Sequence, residues 1–310
     1  MKINNIQMVS NRFQWLDIAK GITILLMVLG HSSIPSVLSK FIWAFHMPLF
    51  FIASGWTTNW QKTDFIGFTK RKIRTLLVPF LVYSLVVLLM QIPQGWVDFN
   101  HWIYNGWISY ALWFIPVLFL ASLFAKVIYG IRNRYLLLGC AFMFAGISGI
   151  LSFYKLHLPW NLSSVPFATF LIVVGTELKR FNAIIVASKL WHILILFAVT
   201  AGISHFWRLD LCFNSILPFL PLTIGAIAGA LMIFMVSSWI DKHLKCMSII
   251  LQKVGKETYL IVAFSQIIIM LLNEYFSLNA VLKYSILIIV FIVLRYIKNS
   301  VNMIAKTNIL

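Results

Sequence analysis

The sequence predicts an all-α polytopic membrane protein of about ten transmembrane helices, with both termini in the cytoplasm. Three observations carry that prediction. Of 310 residues, 61% are hydrophobic and 11% charged, against about half and a quarter in a soluble domain. A soluble core cannot absorb so much Phe, Leu and Ile, so the bilayer is the solvent for most of the chain. Apolar runs of roughly 20 residues recur, each long enough to span. At membrane depth every backbone polar group must be satisfied internally, and the alternation of a barrel strand is absent, so the runs are helices. Lastly, Lys and Arg fall almost entirely on one side of the resulting map.

The spans follow in order. The first, 13–33, contains KGITILLMVLGH, an apolar run closed by Lys20 and His31. The second, 39–59, carries His46 within FIWAFHMPLFFIASGW, and Pro48 should loosen it by freeing a carbonyl one turn back. Residues 61–74, QKTDFIGFTKRKIR, predict a short basic amphipathic helix on the inner face. The third span is 75–92. Trp96, Trp102 and Trp107 then flank an outer loop as an interfacial aromatic belt. Spans 108–130, 135–153 and 162–178 follow. The stretch 190–207 is expected to span, although Arg208 and Asp210 interrupt it and Pro218 and Pro221 follow. The remaining spans are 216–238, nearly free of charge like 135–153, then 258–275 and 279–297. There is no internal repeat and no soluble domain is expected; residues 1–310 form one membrane-embedded unit.

With the N-terminus inside, the basic clusters at 62–74, 126–134, 179–189, 242–256 and 295–306 all face the cytoplasm. The outer side receives Lys40, Lys155, Arg208 and Lys283. A missed or extra helix would scramble this asymmetry. The net charge of +17 therefore reads as topology and lipid contact, not nucleic-acid binding. A cleavable leader is not expected, since the first apolar run carries charged groups and no small-residue cleavage site follows it. Cys140, Cys212 and Cys246 are too scattered for a disulfide framework or zinc cluster and are read as packing residues.

The chemistry concentrates on the first two helices. Eleven residues from Lys20 to His31 give about 16 Å of rise and about three turns, so both side chains share one face at different depths. Asp17 is placed to pair with Lys20 at i,i+3. Ionisable groups inside a membrane segment are costly and normally face a cavity or pathway. A short turn brings His46 back to the outer half of the membrane near His31. Two imidazoles there suit a general base and a positioning group. Metal is not expected, because neither an HExxH pattern nor a carboxylate partner accompanies them. Lys70, Arg71 and Arg74 are candidate phosphate ligands on the cytoplasmic side. Trp113 is a candidate wall of an acceptor groove, since sugars stack on aromatic faces. Glu177 is expected to pair with Arg180 or Lys179. Asn161 and His157 lie in an outer loop, within reach of a glycan.

The stretches RFQWLDIAKGITILLMVLGH, FHMPLFFIASG, KRKIRTLLVPF and LWFIPVLF resemble membrane-bound acyltransferase family 3, in its fucose 4-O-acetylase-like branch. PFATFLIVVGTELKR and VGKETYLIVAFSQ extend the resemblance over most of the chain. The family's mark is a basic residue, ten intervening residues and a histidine; here Lys20 and His31 fill it. Many relatives carry a histidine near 265, where this chain has Ser265, and no role is carried onto it. The resemblance implies transfer of an acyl group, usually acetyl from cytoplasmic acetyl-CoA, to a hydroxyl of a glycan or its lipid-linked precursor. His31 would serve as base, Asp17 and Lys20 as its partners on the donor side, with Lys70, Arg71 and Arg74 holding the donor and His46 and Trp113 the acceptor. A transporter, flippase or polymerase of glycans is the competing class. It would show two related, Gly/Pro-interrupted halves or a large outer loop, and the sequence has neither.

Overall fold

The computed structural model describes residues 13–32, 34–98, 111–276 and 278–307. In chain order its helices are α1 (Gln14–Gly30), α2 (Ser36–Thr57), α3 (Phe65–Lys72), α4 (Val78–Gln91), α5 (Phe114–Ile128), α6 (Arg134–Phe153), α7 (Val165–Leu178), α8 (Asn182–Val186), α9 (Leu190–Phe206), α10 (Phe219–His243), α11 (Lys245–Lys256), α12 (Thr258–Tyr275) and α13 (Ala280–Thr307). Each of the ten expected spans coincides with one of them. Among the described residues six helical stretches are long and apolar enough to cross a membrane, and α5 and α9 are shorter apolar helices. No strand occurs there beyond a single bridge between Asp210 and Ser215. This is an all-α polytopic membrane protein. Trp102 and Trp107 of the expected aromatic belt lie outside the described residues; Trp96 is half-buried against the core.

Two helices depart from expectation. Residues 61–74 do not form a separate surface helix. Asp64 caps α3, its Oδ1 accepting the Gly67 amide at 3.1 Å, and a π-helical turn over Ile73–Leu77 carries α3 into α4 without a break. The basic run is therefore the inner end of a helix reaching from Phe65 to Gln94. The separate amphipathic helix is α11, with exposed Met247, Ile249 and Ile250 opposite buried Ser248 and Gly255. α2 runs through Pro48 as one continuous helix.

Two close helix crossings set the frame of the core. Where α1 meets α11, a Cβ on Gly21 would stand 2.2 Å from the Leu251 carbonyl oxygen, and one on Gly255 would stand 1.8 Å from that of Asp17. Where α2 meets α7, a Cβ on Gly55 would stand 1.9 Å from the Ile172 oxygen, and one on Gly175 would stand 2.0 Å from that of Ile52. Absence of a side chain lets these backbones touch, as at small-residue interfaces in membranes generally. Around them pack fully buried Phe45, Phe51, Trp56 and Phe234.

Contacts at the helix ends follow the charge asymmetry. At one end, Lys126 donates to the carbonyls of Trp60 and Thr63. Glu177 pairs with Arg134 and Arg180, each at 3.2 Å. Glu257 pairs with Lys298 at 2.6 Å and Arg295 at 3.5 Å. At the other end, Tyr284 donates to Ser32 and Tyr275 to Gln94. The cation-rich ends thus assemble on one face, as the Lys/Arg partition requires.

Candidate active site

A cavity of about 420 Å³ runs between α1, α2, the α3–α4 helix, α5 and α12. Lys20 and Lys72 stand in its wall towards the cation-rich face, and His31, His46, Trp113 and Asp210 also line it. Helix geometry separates the depths of Lys20 and His31 by about 16 Å along α1. Ionisable groups in such a helix are retained where a cavity receives them, and this cavity receives both.

At the inner end, Lys20 Nζ lies 2.7 Å from Asp17 Oδ1. Asp17 is buried and Lys20 half-buried. The i,i+3 spacing brings the two side chains together on one face of α1. The basic run places Lys72, rather than Lys70, Arg71 or Arg74, in the cavity wall. Lys70 and Arg74 are exposed, and the Arg71 guanidinium lies 5.5 Å from the Phe68 ring centroid. The reason is helical phase. Buried Phe80, Ser84, Val87 and Gln91 mark the inward face of α4, and that face runs back through Leu76 to Lys72. A polar serine and glutamine recurring at that spacing in an apolar run are the signal that identifies Lys72 from sequence. Tyr259 on α12, another wall residue, donates its hydroxyl to the Leu76 carbonyl at 2.7 Å and ties α12 to this turn.

At the outer end three rings converge. His31 follows the last turn of α1, and its ring centroid is 5.2 Å from that of Trp43 and 6.1 Å from that of His46. Trp43 and His46 are 5.5 Å apart. Trp43 Nε1 donates to the Gly30 carbonyl at 3.3 Å, which fastens the end of α1 to α2. His46 is buried, and its Nδ1 lies 3.0 Å from the Ile42 carbonyl oxygen. A carbonyl only accepts, so Nδ1 carries the proton and Nε2 holds the lone pair. Trp113 closes the wall just ahead of α5, buried and edge-on to Phe114.

Residues 13–298 match an acyltransferase domain. The chain belongs to acyltransferase family 3. No curated protein and no solved structure matches it. The protein is thus a membrane acyltransferase, and within that family the cavity places the basic residue and the histidine spaced eleven apart on one wall. Ser265 does not face this cavity; it is fully buried with its hydroxyl unpartnered, whereas Gln266 beside it lines the wall.

The acyltransferase also builds its outer wall from a segment that periodicity does not reveal. After α9 the chain turns back as a tight hairpin, closed by amide–carbonyl bonds between Asp210 and Ser215 at 3.0 and 2.7 Å. Asp210 Oδ1 accepts the Cys212 amide at 3.1 Å. Asn214, at φ 48°, exchanges bonds with Ser148 on α6, at 2.7 and 3.1 Å. Asn161, placed by the sequence in an outer loop within reach of a glycan, is buried and donates to the Cys212 carbonyl. Residues 209–213 thereby form part of the cavity wall. Burial raises the Asp210 carboxyl above the usual range. Arg208, one of the four cations that the Lys/Arg partition leaves on the outer side and the one arginine among them, was the available signal.

Proposed function

We propose that this acyltransferase moves an acetyl group from cytoplasmic acetyl-CoA to a hydroxyl of a cell-surface glycan or its lipid-linked precursor, in the inner membrane, as fucose 4-O-acetylase-like enzymes do. The observation that carries the reading is that one cavity is lined by Lys20 and Lys72 towards the cation-rich face and by two imidazoles at the opposite depth. Cations suit a phosphate-bearing donor, and a neutral imidazole suits removal of a hydroxyl proton. In this scheme the acceptor hydroxyl gives its proton to His31 as its oxygen attacks the thioester carbonyl. The carbon–sulfur bond breaks, and the proton passes on to the departing thiolate. Asp17 keeps Lys20 charged and in place. His46 and Trp113 hold the acceptor against the outer wall.

Mass spectrometry of surface glycan tests the proposal, comparing a deletion strain complemented with the wild-type gene or with His31→Ala. Loss of acetyl groups in the deletion and in His31→Ala, with normal membrane levels of the variant, is the expected result. Glycan acetylated equally in all strains would overturn it.

A further inference from the structure

We infer that Arg208 binds an oxyanion of the acceptor, a carboxylate or a phosphate, at the outer mouth of the cavity. The acetylated sugar is then itself anionic or directly adjoins an anionic group. The inference rests on the proposed transferase activity and adds the acceptor's charge to it.

The guanidinium carbon of Arg208 lies 3.9 Å from the Trp43 ring centroid. Trp43 in turn touches both His31 and His46. The guanidinium carbon is therefore within about 9 Å of the His31 ring centroid, close enough for one acceptor to reach both. Contact with the ring engages one face of the guanidinium and leaves its in-plane N–H donors uncovered by the indole. Among the described residues no carboxylate lies within ion-pairing distance of Arg208. Asp210, two residues on, spends Oδ1 on the Cys212 and Phe213 amides.

Arg208 is also exposed yet rigidly placed. Leu209 and Ile216, which flank the hairpin, are 1% and 0% exposed. The Asn214–Ser148 and Ser164–Leu211 bonds hold the hairpin to its neighbours. Of the four cations on the outer side, Arg208 is the one whose own hairpin lines the cavity. Retaining an arginine there opposes the topology bias. Arginine, unlike lysine, offers the planar fork that binds a carboxylate or phosphate through two bonds.

The test measures acetyl transfer from labelled acetyl-CoA in membrane vesicles. The acceptor is surface glycan from the same cells, de-O-acetylated by mild base. Wild type, Arg208→Lys, Arg208→Gln and His31→Ala are compared at equal membrane levels. Arg208→Gln should raise the glycan concentration for half-maximal rate roughly ten- to hundredfold, with Arg208→Lys between it and wild type and maximal rates little changed. Glycan with its carboxylates reduced, or with its phosphates removed, should abolish the difference between wild type and Arg208→Gln. Whichever treatment does so names the oxyanion. Independently of any variant, fragmentation of native glycan should place the acetyl group on or beside an acidic residue. A neutral glycan, or an Arg208→Gln defect of equal size on native and neutralised glycan, overturns the inference and leaves Arg208 a support for Trp43. Glycan acetylation unaffected by both deletion and His31→Ala would instead sink the transferase reading, and the inference with it.

Discussion

The imidazole rings of His31 and His46 meet edge to face, 6.1 Å between centroids and 86° between planes. They are not equivalent. His46 is buried with Nδ1 tied to Ile42, which fixes its tautomer and its ring. His31 is exposed to the cavity at the end of α1, where its ring is free to exchange a proton.

The two histidines should therefore fail differently. His31→Ala is expected to lower transfer by about 10²–10⁴, the usual cost of losing a general base, with acceptor affinity little altered. His46→Gln should mainly raise the acceptor concentration required. Kinetics of both variants in membranes check this, and equal kcat losses would contradict the division of labour.

Lys20 and Asp17 form a 2.7 Å pair that is largely shielded from water. Lys20→Arg should retain most activity, because the position supplies a cation, while Lys20→Ala should not. Asp17→Asn leaves Lys20 without this counter-charge, an arrangement that costs stability when the remaining charge is buried. A lowered Tm for Asp17→Asn in detergent is the expected outcome, and an unchanged Tm together with unchanged activity would show the pair to be incidental.

The donor should depend on the cavity-facing lysine more than on the outward arginines. In the proposed scheme Lys72→Ala removes a charge-assisted phosphate contact, worth about 1.5–3 kcal/mol, and should raise the KM for acetyl-CoA accordingly. Arg71→Ala and Arg74→Ala should have smaller effects. Saturation curves for the three variants decide the matter, and a larger shift for Arg71→Ala would move the donor outside the cavity wall.

The native cysteines report sidedness. Cys246 is exposed on α11, at the cation-rich end, so a membrane-impermeant maleimide should label it in inside-out vesicles and not in intact cells. Cys212 lies in the outer hairpin. Burial, and then the Asp210 carboxylate, push its thiol up to about 12. The raised value keeps it protonated at pH 7–9, and the thiolate is the reactive form. Cys246→Ser protein should consequently stay unlabelled from outside until the pH is strongly alkaline. Labelling of Cys212 at neutral pH would refute this account of the hairpin.

Local signals were legible and long-range ones were not. Ten apolar runs became ten helices because in lipid the backbone has no alternative. The Asp17–Lys20 pair and the shared face of Lys20 and His31 follow from helical spacing alone. The hairpin at 208–216 returns to the site through bonds such as Asn214–Ser148, 66 residues apart, and neither periodicity nor composition records such a contact. The basic run at 70–74 showed where charge lies along the helix, while its phase, and so the choice of Lys72, depended on Ser84 and Gln91 a few turns away. A separate α11 escaped notice because its mixture of Lys, Ser and Gly with apolar residues resembles a loop between spans.

The glycine crossings have a consequence for genetic screens. Gly21, Gly55, Gly175 and Gly255 each leave less than 2.5 Å between a would-be Cβ and a backbone oxygen on the facing helix. Even alanine there must push apart helices that carry Asp17, Lys20, His31 or His46. A saturation screen scored on surface acetylation will accordingly rank these four glycines beside the histidines, although no glycine can donate or accept a side-chain proton. Scoring the same library for protein abundance separates the two groups: the glycine variants disappear from the membrane, and the His31 variants remain there, folded and inactive.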